Sequence, residues 1–224
     1  EDRFRFEYNG YLFLGFNTGP VIRMMEGHVA PQDITWLTEQ LANTKKGQPV
    51  IIVTHYPLLE GDVDNWYIIT DLIRKHNIKA VLGGHYHSNR LALYDGIPGI
   101  INRSNLRDRE DQAGGYSIYD INRDSILVYE QKIGKDIWQW GGYSLTKQYF
   151  TSDNSVYKRP DFSINQQYSQ VKEEWIVQNE GAIYSSPIIY NKNLYIGDDL
   201  GFLSCFSLEG GKKKWSFKSG NRII

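Results

Sequence analysis

Three histidines stand where chemistry could be done. His55 lies in Val53-Thr-His-Tyr-Pro-Leu58, and His85 and His87 lie in Gly83-Gly-His-Tyr-His-Ser88. Each segment follows an apolar, β-branched run: Val50-Ile51-Ile52-Val53 before the first, Ala80-Val81-Leu82 before the second. Neutral imidazole nitrogen is a favoured ligand for zinc, iron and similar ions. Histidines in ones and twos are more often polar loop residues, but three at related strand ends are better read as a metal site.

The elements that must position them are legible. Between the two segments, Ile69, Leu72, Ile73 and His76 recur at steps of three and four within Asn65–Asn77, the period of an amphipathic helix. Strand, helix, strand makes a βαβ unit with parallel strands, whose C-terminal ends share one edge. Ligands bind at that edge in open α/β sheets. His55, His85 and His87 are therefore expected to converge, with Gly83 and Gly84 allowing the backbone to bend.

The ordered pair Val53-Thr-His-Tyr-Pro57 and Gly84-His-Tyr-His87 resembles the late motifs of calcineurin-like metallophosphoesterases, and the likeness runs over about residues 3–133. It is similar to the C-terminal half of that domain. The resemblance implies a phosphate-ester substrate and two divalent metal ions in the intact parent, manganese, iron or zinc. It assigns His55 and His85 to one ion and His87 to the other. The family's early motifs, an Asp-x-His, a Gly-Asp-x-x-Asp and a Gly-Asn-His-(Asp/Glu), are not found. Gly61-Asp-Val-Asp64 has the wrong order and spacing, and is assigned to a surface loop. Those motifs supply the carboxylate that bridges the ions. Without it, cations about 3.5–4 Å apart repel with little compensation. The expectation is a fragment of a dinuclear phosphohydrolase, inactive or nearly so alone. The alternative is a non-catalytic scaffold.

The surrounding chain fits that frame. Arg3-Phe-Arg-Phe-Glu-Tyr8 alternates as a half-buried strand, and Asn9-Gly10 turns it into Tyr11–Phe16. A domain opening inside a sheet reads as truncated. Pro31 starts a helix with Asp33 in its first turn and Ile34, Leu37 and Leu41 as its stripe, ending near Asn43. His28 is read as solvent-exposed or backbone-bonded, and His76 as a favourable group at a helix C-terminus. Hairpins follow at Arg90–Ile101 and Gly115–Tyr129. Between them, Arg103, Arg107 and Arg109 could grip a phosphate, with Arg103, nearest a strand end, as the substrate-binding candidate. A solvated charged loop is the simpler reading of that stretch.

From Lys135 to about Gln170 the chain reads as a linker anchored by Trp138, Trp140, Tyr143, Tyr149 and Phe150, lying across the first domain. The remainder changes pattern. Trp175-Ile-Val returns about 40 residues later as Trp215-Ser-Phe, with short strands and Gly/Asn/Asp turns between. Four strands per 40 residues is propeller-blade spacing. Ser186-Pro-Ile-Ile, Tyr195-Ile-Gly, Gly201-Phe-Leu and Gly211-Lys-Lys-Lys-Trp215 resemble the pyrroloquinoline-quinone-type propeller repeat. One blade and the start of another are covered, which reads as a cut at this end too. No quinone is expected, since many such propellers are scaffolds; a protein partner could use this surface.

The fold class expected is α/β (α+β): an incomplete metallophosphoesterase β-sandwich flanked by helices, then an all-β propeller-like blade. The expected divisions are 1–134, 135–170 and 171–224. The 224 residues suit two units. A net charge of −1 gives no electrostatic case for nucleic acid or an anionic membrane. No apolar run approaches a membrane span. Cys205, the single cysteine, cannot form an intrachain disulfide. An exported location is implied only by the resemblance.

Overall fold

The computed structural model describes residues 3–20, 26–106, 114–147 and 158–224. The chain forms two compact units, Glu1–Arg159 and Pro160–Ile224.

The first unit begins with β1 (Phe4–Tyr8) and β2 (Tyr11–Gly15), an antiparallel hairpin. Its turn is Asn9-Gly10, with φ of 49° and 84°, the left-handed pair that a two-residue hairpin loop requires. Helix α1 (Pro31–Ala42), strand β3 (Val50–Val53), helix α2 (Trp66–Ile73) and strand β4 (Ile78–Gly83) follow. Next come β5 (Arg90–Tyr94) and β6 (Ile97–Ile101), joined through Asp95-Gly96, again at positive φ. These strands make one six-stranded sheet in the order β1-β2-β3-β4-β6-β5. The pairs β2–β3, β3–β4 and β4–β6 are parallel, so the βαβ unit expected around α2 is present.

The last strands of the unit are β7 (Gly115–Ile121), β8 (Ser125–Lys132) and β9 (Trp138–Ser144), an antiparallel meander forming a second sheet. The central strands of the large sheet are covered on both faces, which explains why Val50–Val53 and Ala80–Leu82 are continuous apolar runs and not alternating ones. One face of the sheet packs Leu12, Leu14, Ile52 and Val81 against Leu37 and Leu41 of α1 and Ile69 and Ile73 of α2. The other packs Phe13, Ile51, Ala80 and Ile100 against Ile126, Val128 and Leu145 of the meander. Each fully buried side chain contributes about 1.5–3 kcal/mol through removal from water. Polar contacts fix the sheet-to-sheet register: Tyr11 Oη donates to Asn122 O at 3.0 Å, and Tyr143 Oη to Ala92 O at 2.6 Å.

Three local expectations change. All five residues of β1 are exposed, because it is an edge strand; Phe6 stacks on Phe13 at 4.6 Å but remains open to solvent on its other side. Helix α2 ends at Ile73, so His76 lies beyond it. There burial, and then the neighbouring Lys75 charge, push the His76 pKa down. The segment read as a linker from Lys135 contains β9, whose Trp140 and Tyr143 pack against the core between the sheets. Tyr149 and Phe150 lie outside the described residues.

An ion network closes the first unit. Asp95, fully buried, receives Arg74 and also Arg159, whose Nη2 is 2.6 Å away. Arg159 also pairs with Asp71 and lies over the Trp66 ring, 5.1 Å from its centroid.

The second unit is a 3₁₀ turn over Ser163–Tyr168 and then β10 (Ile188–Tyr190), β11 (Asn193–Gly197), β12 (Phe202–Ser207) and β13 (Lys213–Lys218). These pair in order as a four-stranded antiparallel meander. Trp175 donates from Nε1 to Leu208 O at 2.9 Å, and its ring rests on Gly211. Asp198 is buried and accepts from Phe202 N and Asn179 Nδ2, which pins the β11–β12 turn. No helix among the described residues is long and apolar enough to cross a membrane.

Candidate metal centre

The site is built on the C-terminal ends of β3 and β4. Parallel pairing carries past the strands: Thr54 N donates to Leu82 O at 2.9 Å, and Gly84 N donates to His55 O at 3.0 Å. The two histidine-bearing turns are thereby sewn together at the backbone. The His55 and His85 rings meet edge to face, with centroids 5.8 Å apart. His85 is itself stacked on Tyr56 at 3.9 Å and 27°. Partial burial, followed by the nearby His85 and His87 charges, pushes the His55 pKa down. That direction favours the neutral imidazole, the form that ligates metal.

His87 stands on the exposed side of the same turn. It acts on His55 through its charge, but the three rings do not close into a common cage. Among the described residues, no group of three or more His, Cys, Asp and Glu side chains is arranged to hold an ion. The donor chemistry that is present, imidazole nitrogens from His55 and His85, fits a borderline metal such as zinc.

Both His85 and His87 have positive φ, 70° and 56°. For residues with a Cβ this conformation is costly, and it persists where the surroundings hold it. Several contacts do so. Tyr86 Oη donates to the buried Asp62 carboxylate. Burial, then that hydrogen bond and the Asp62 charge, push the Tyr86 pKa up to about 12, so the phenol keeps its proton to donate. The other Asp62 oxygen is 3.9 Å from His85 Nε2, and Arg90 lies over the Tyr86 ring. At the strand end, Gly83 O accepts from Asn102 N at 2.9 Å and from its Nδ2 at 3.2 Å.

Asp62 is therefore next to the histidines, not in a detached surface loop. Its loop is tied down where Gly27 N donates to Asp62 O and Asp64 N to Gly27 O. His28, expected as exposed or backbone-bonded, is partly exposed and contacts the Asp64 carboxylate through Nδ1 at 2.8 Å. The Gly61-Asp-Val-Asp64 acids were visible in the sequence; what placed Asp62 was the Tyr86 hydroxyl, which spacing does not reveal.

Arg103 is placed differently from the expectation of a phosphate grip. Its side chain is 2% exposed, and its Nε lies 2.9 Å from Glu130 Oε1. The charge is met inside the fold. Arg107 and Arg109 lie outside the described residues.

Residues 3–89 match the model of the calcineurin-like phosphoesterase family. The mouse serine/threonine-protein phosphatase CPPED1 is 28% identical over 122 residues, 45% of this chain and 37% of that protein. The chain thus aligns with little more than a third of that relative's length. Among solved structures, GAP50, the anchor in the inner membrane complex of Plasmodium, is 11% identical, with a TM-score of 0.42 over 61% of this chain and 52% of the other. A zinc-complexed Vps29 from Entamoeba histolytica is 9% identical, with a TM-score of 0.30 over 64% of this chain and 61% of the other.

Proposed function

We propose that this chain carries the imidazole part of a metal-dependent phosphohydrolase site for phosphate monoesters or diesters. The observation that carries the reading is the His55–His85 pair at the C-terminal ends of adjacent parallel strands, 5.8 Å apart, within the stretch matching the phosphoesterase family. His55 and His85 hold one divalent ion, and His87 faces a second. Bound metal would supply Lewis-acid stabilisation of phosphoryl charge and a water acidic enough to attack at neutral pH. The chain's own part is to present imidazoles on a rigid strand edge and to hold them through Tyr56, Asp62 and Tyr86. Among the described residues the carboxylate beside the pair is Asp62, engaged by the Tyr86 hydroxyl, and the chain by itself hydrolyses phosphate esters slowly at most.

The test is metal content after incubation with manganese, iron or zinc, beside hydrolysis of p-nitrophenyl phosphate and its bis-ester. One ion per chain, lost in His55→Ala and in His85→Ala, together with slow turnover, is the expected result. No ion bound under any condition overturns the reading.

A second reading rests on the C-terminal meander, where Ile188, Ile189, Tyr190 and Phe217 on its two edge strands are exposed. Such surface suits contact with protein, either further propeller-like blades or a partner. It would make this unit a binding module, with or without catalysis in the first.

A further inference from the structure

The left-handed φ of His85 and His87 raises the question of what holds the far end of their turn, beyond the Tyr86–Asp62 contact. The turn runs into Asn89, and Asn89 is gripped from the second sheet. Its Nδ2 donates to Glu130 Oε2 at 3.0 Å, and its Oδ1 accepts from Arg103 N at 3.0 Å. Glu130, 2% exposed on β8, is paired with the Arg103 guanidinium and also accepts from Trp138 Nε1 at 3.1 Å. Every partner comes from a different element: the loop after β6, the middle strand of the meander, and the start of β9. Asn89 has no reason of its own to adopt one amide orientation, but here both ends of the amide are satisfied in only one.

We propose that Asn89 is a positioning residue for the histidine turn, with Glu130 and Arg103 as the clamp that orients it. The inference rests on the metal-site reading for its functional meaning. A buried carboxylate–guanidinium pair is costly to form and holds its geometry only if its remaining hydrogen bonds are made. Here those bonds are spent on Asn89 and Trp138, two residues after His87 in one case and at the meander's edge in the other. The clamp therefore transmits the rigidity of the inter-sheet core to the backbone of Gly84–Ser88. It also accounts for a buried arginine that sequence reasoning assigned to substrate.

The test uses the full chain and two variants: Asn89→Ala and Val128→Ala. The last removes core volume from the same strand while leaving the clamp, and so controls for general destabilisation. Two readouts are taken: cobalt(II) affinity from its visible absorption, and amide exchange of Tyr86, whose N–H donates to Gly84 O at 2.9 Å. Asn89→Ala is expected to weaken cobalt binding roughly tenfold or more, the size seen when outer partners of metal ligands are lost, and to speed Tyr86 exchange. Val128→Ala leaves both near wild type at matched stability. Wild-type cobalt affinity and Tyr86 exchange in Asn89→Ala would overturn the proposal, as would equal losses in Val128→Ala. If the unaltered chain binds no cobalt, the metal reading fails, and Tyr86 exchange alone decides the clamp.

Discussion

The Tyr56 ring lies flat against the His85 ring, centroids 3.9 Å apart, and both belong to turns at the ends of neighbouring parallel strands. The contact fixes the plane of an imidazole that otherwise has free rotation about two bonds. Replacing Tyr56 by Leu keeps apolar bulk but removes the stack. An aromatic pair contributes about 0.5–1.5 kcal/mol beyond burial, so zinc affinity is expected to fall by about two- to tenfold. Calorimetric titration checks this. The His85 ring protons should also shift downfield in NMR spectra as the ring current is lost.

Asp95 is a buried carboxylate on which stability depends. It is fully buried and serves two guanidiniums, Arg74 and Arg159. Asp95→Asn leaves those charges facing a neutral amide, and breaking a buried pair from one side costs roughly 3 kcal/mol or more. Urea denaturation of the first unit reads the loss. Arg159→Leu in the Asp95→Asn background should cost less than in the native chain, because one of the stranded charges is then gone.

Acid stability follows from His76. Burial, with the Lys75 charge, lowers its folded pKa below the unfolded value of about 6.5. Below that pH the unfolded chain binds the proton more readily than the folded one, so stability falls as pH falls. Above it the group is neutral in both states and contributes no pH dependence. His76→Gln is expected to flatten the stability profile between neutral pH and mild acid, and to leave it unchanged at pH 8. Denaturation midpoints across that range decide the matter.

The C-terminal unit has its own weak point. Gly211 sits at φ 63°, and a Cβ there would come within 2.5 Å of the Trp175 ring. Gly211→Ala must therefore displace Trp175 from its hydrogen bond to Leu208 O. Overpacking and an unfavourable φ together cost about 2 kcal/mol or more. Tryptophan fluorescence should report loss of this unit at lower denaturant, with the midpoint of the first unit unmoved.

Local chemistry made much of the scaffold legible. Asn9-Gly10 and Asp95-Gly96 dictate their hairpins because few residue pairs accept successive positive φ. The period of Ile69, Leu72 and Ile73 beside two β-branched runs specified the βαβ unit, and with it the edge where His55 and His85 meet. Those signals act over a few residues, so no tertiary knowledge is needed to read them.

What the tertiary structure decided are the relations between distant residues. His87 remains on the exposed side of a strained turn; Asp62 reaches the site through the Tyr86 hydroxyl; Arg103 turns inward to Glu130 and away from solvent. The exposure of β1 likewise depends on its being an edge, which its alternating residues cannot announce. Periodicity tells which face of an element is buried, whereas a charged side chain's partner is set by which faces the two sheets bring together. The residue types and turn chemistry of the chain thus determined where the histidines stand, and the packing of one sheet on the other decided what holds them there.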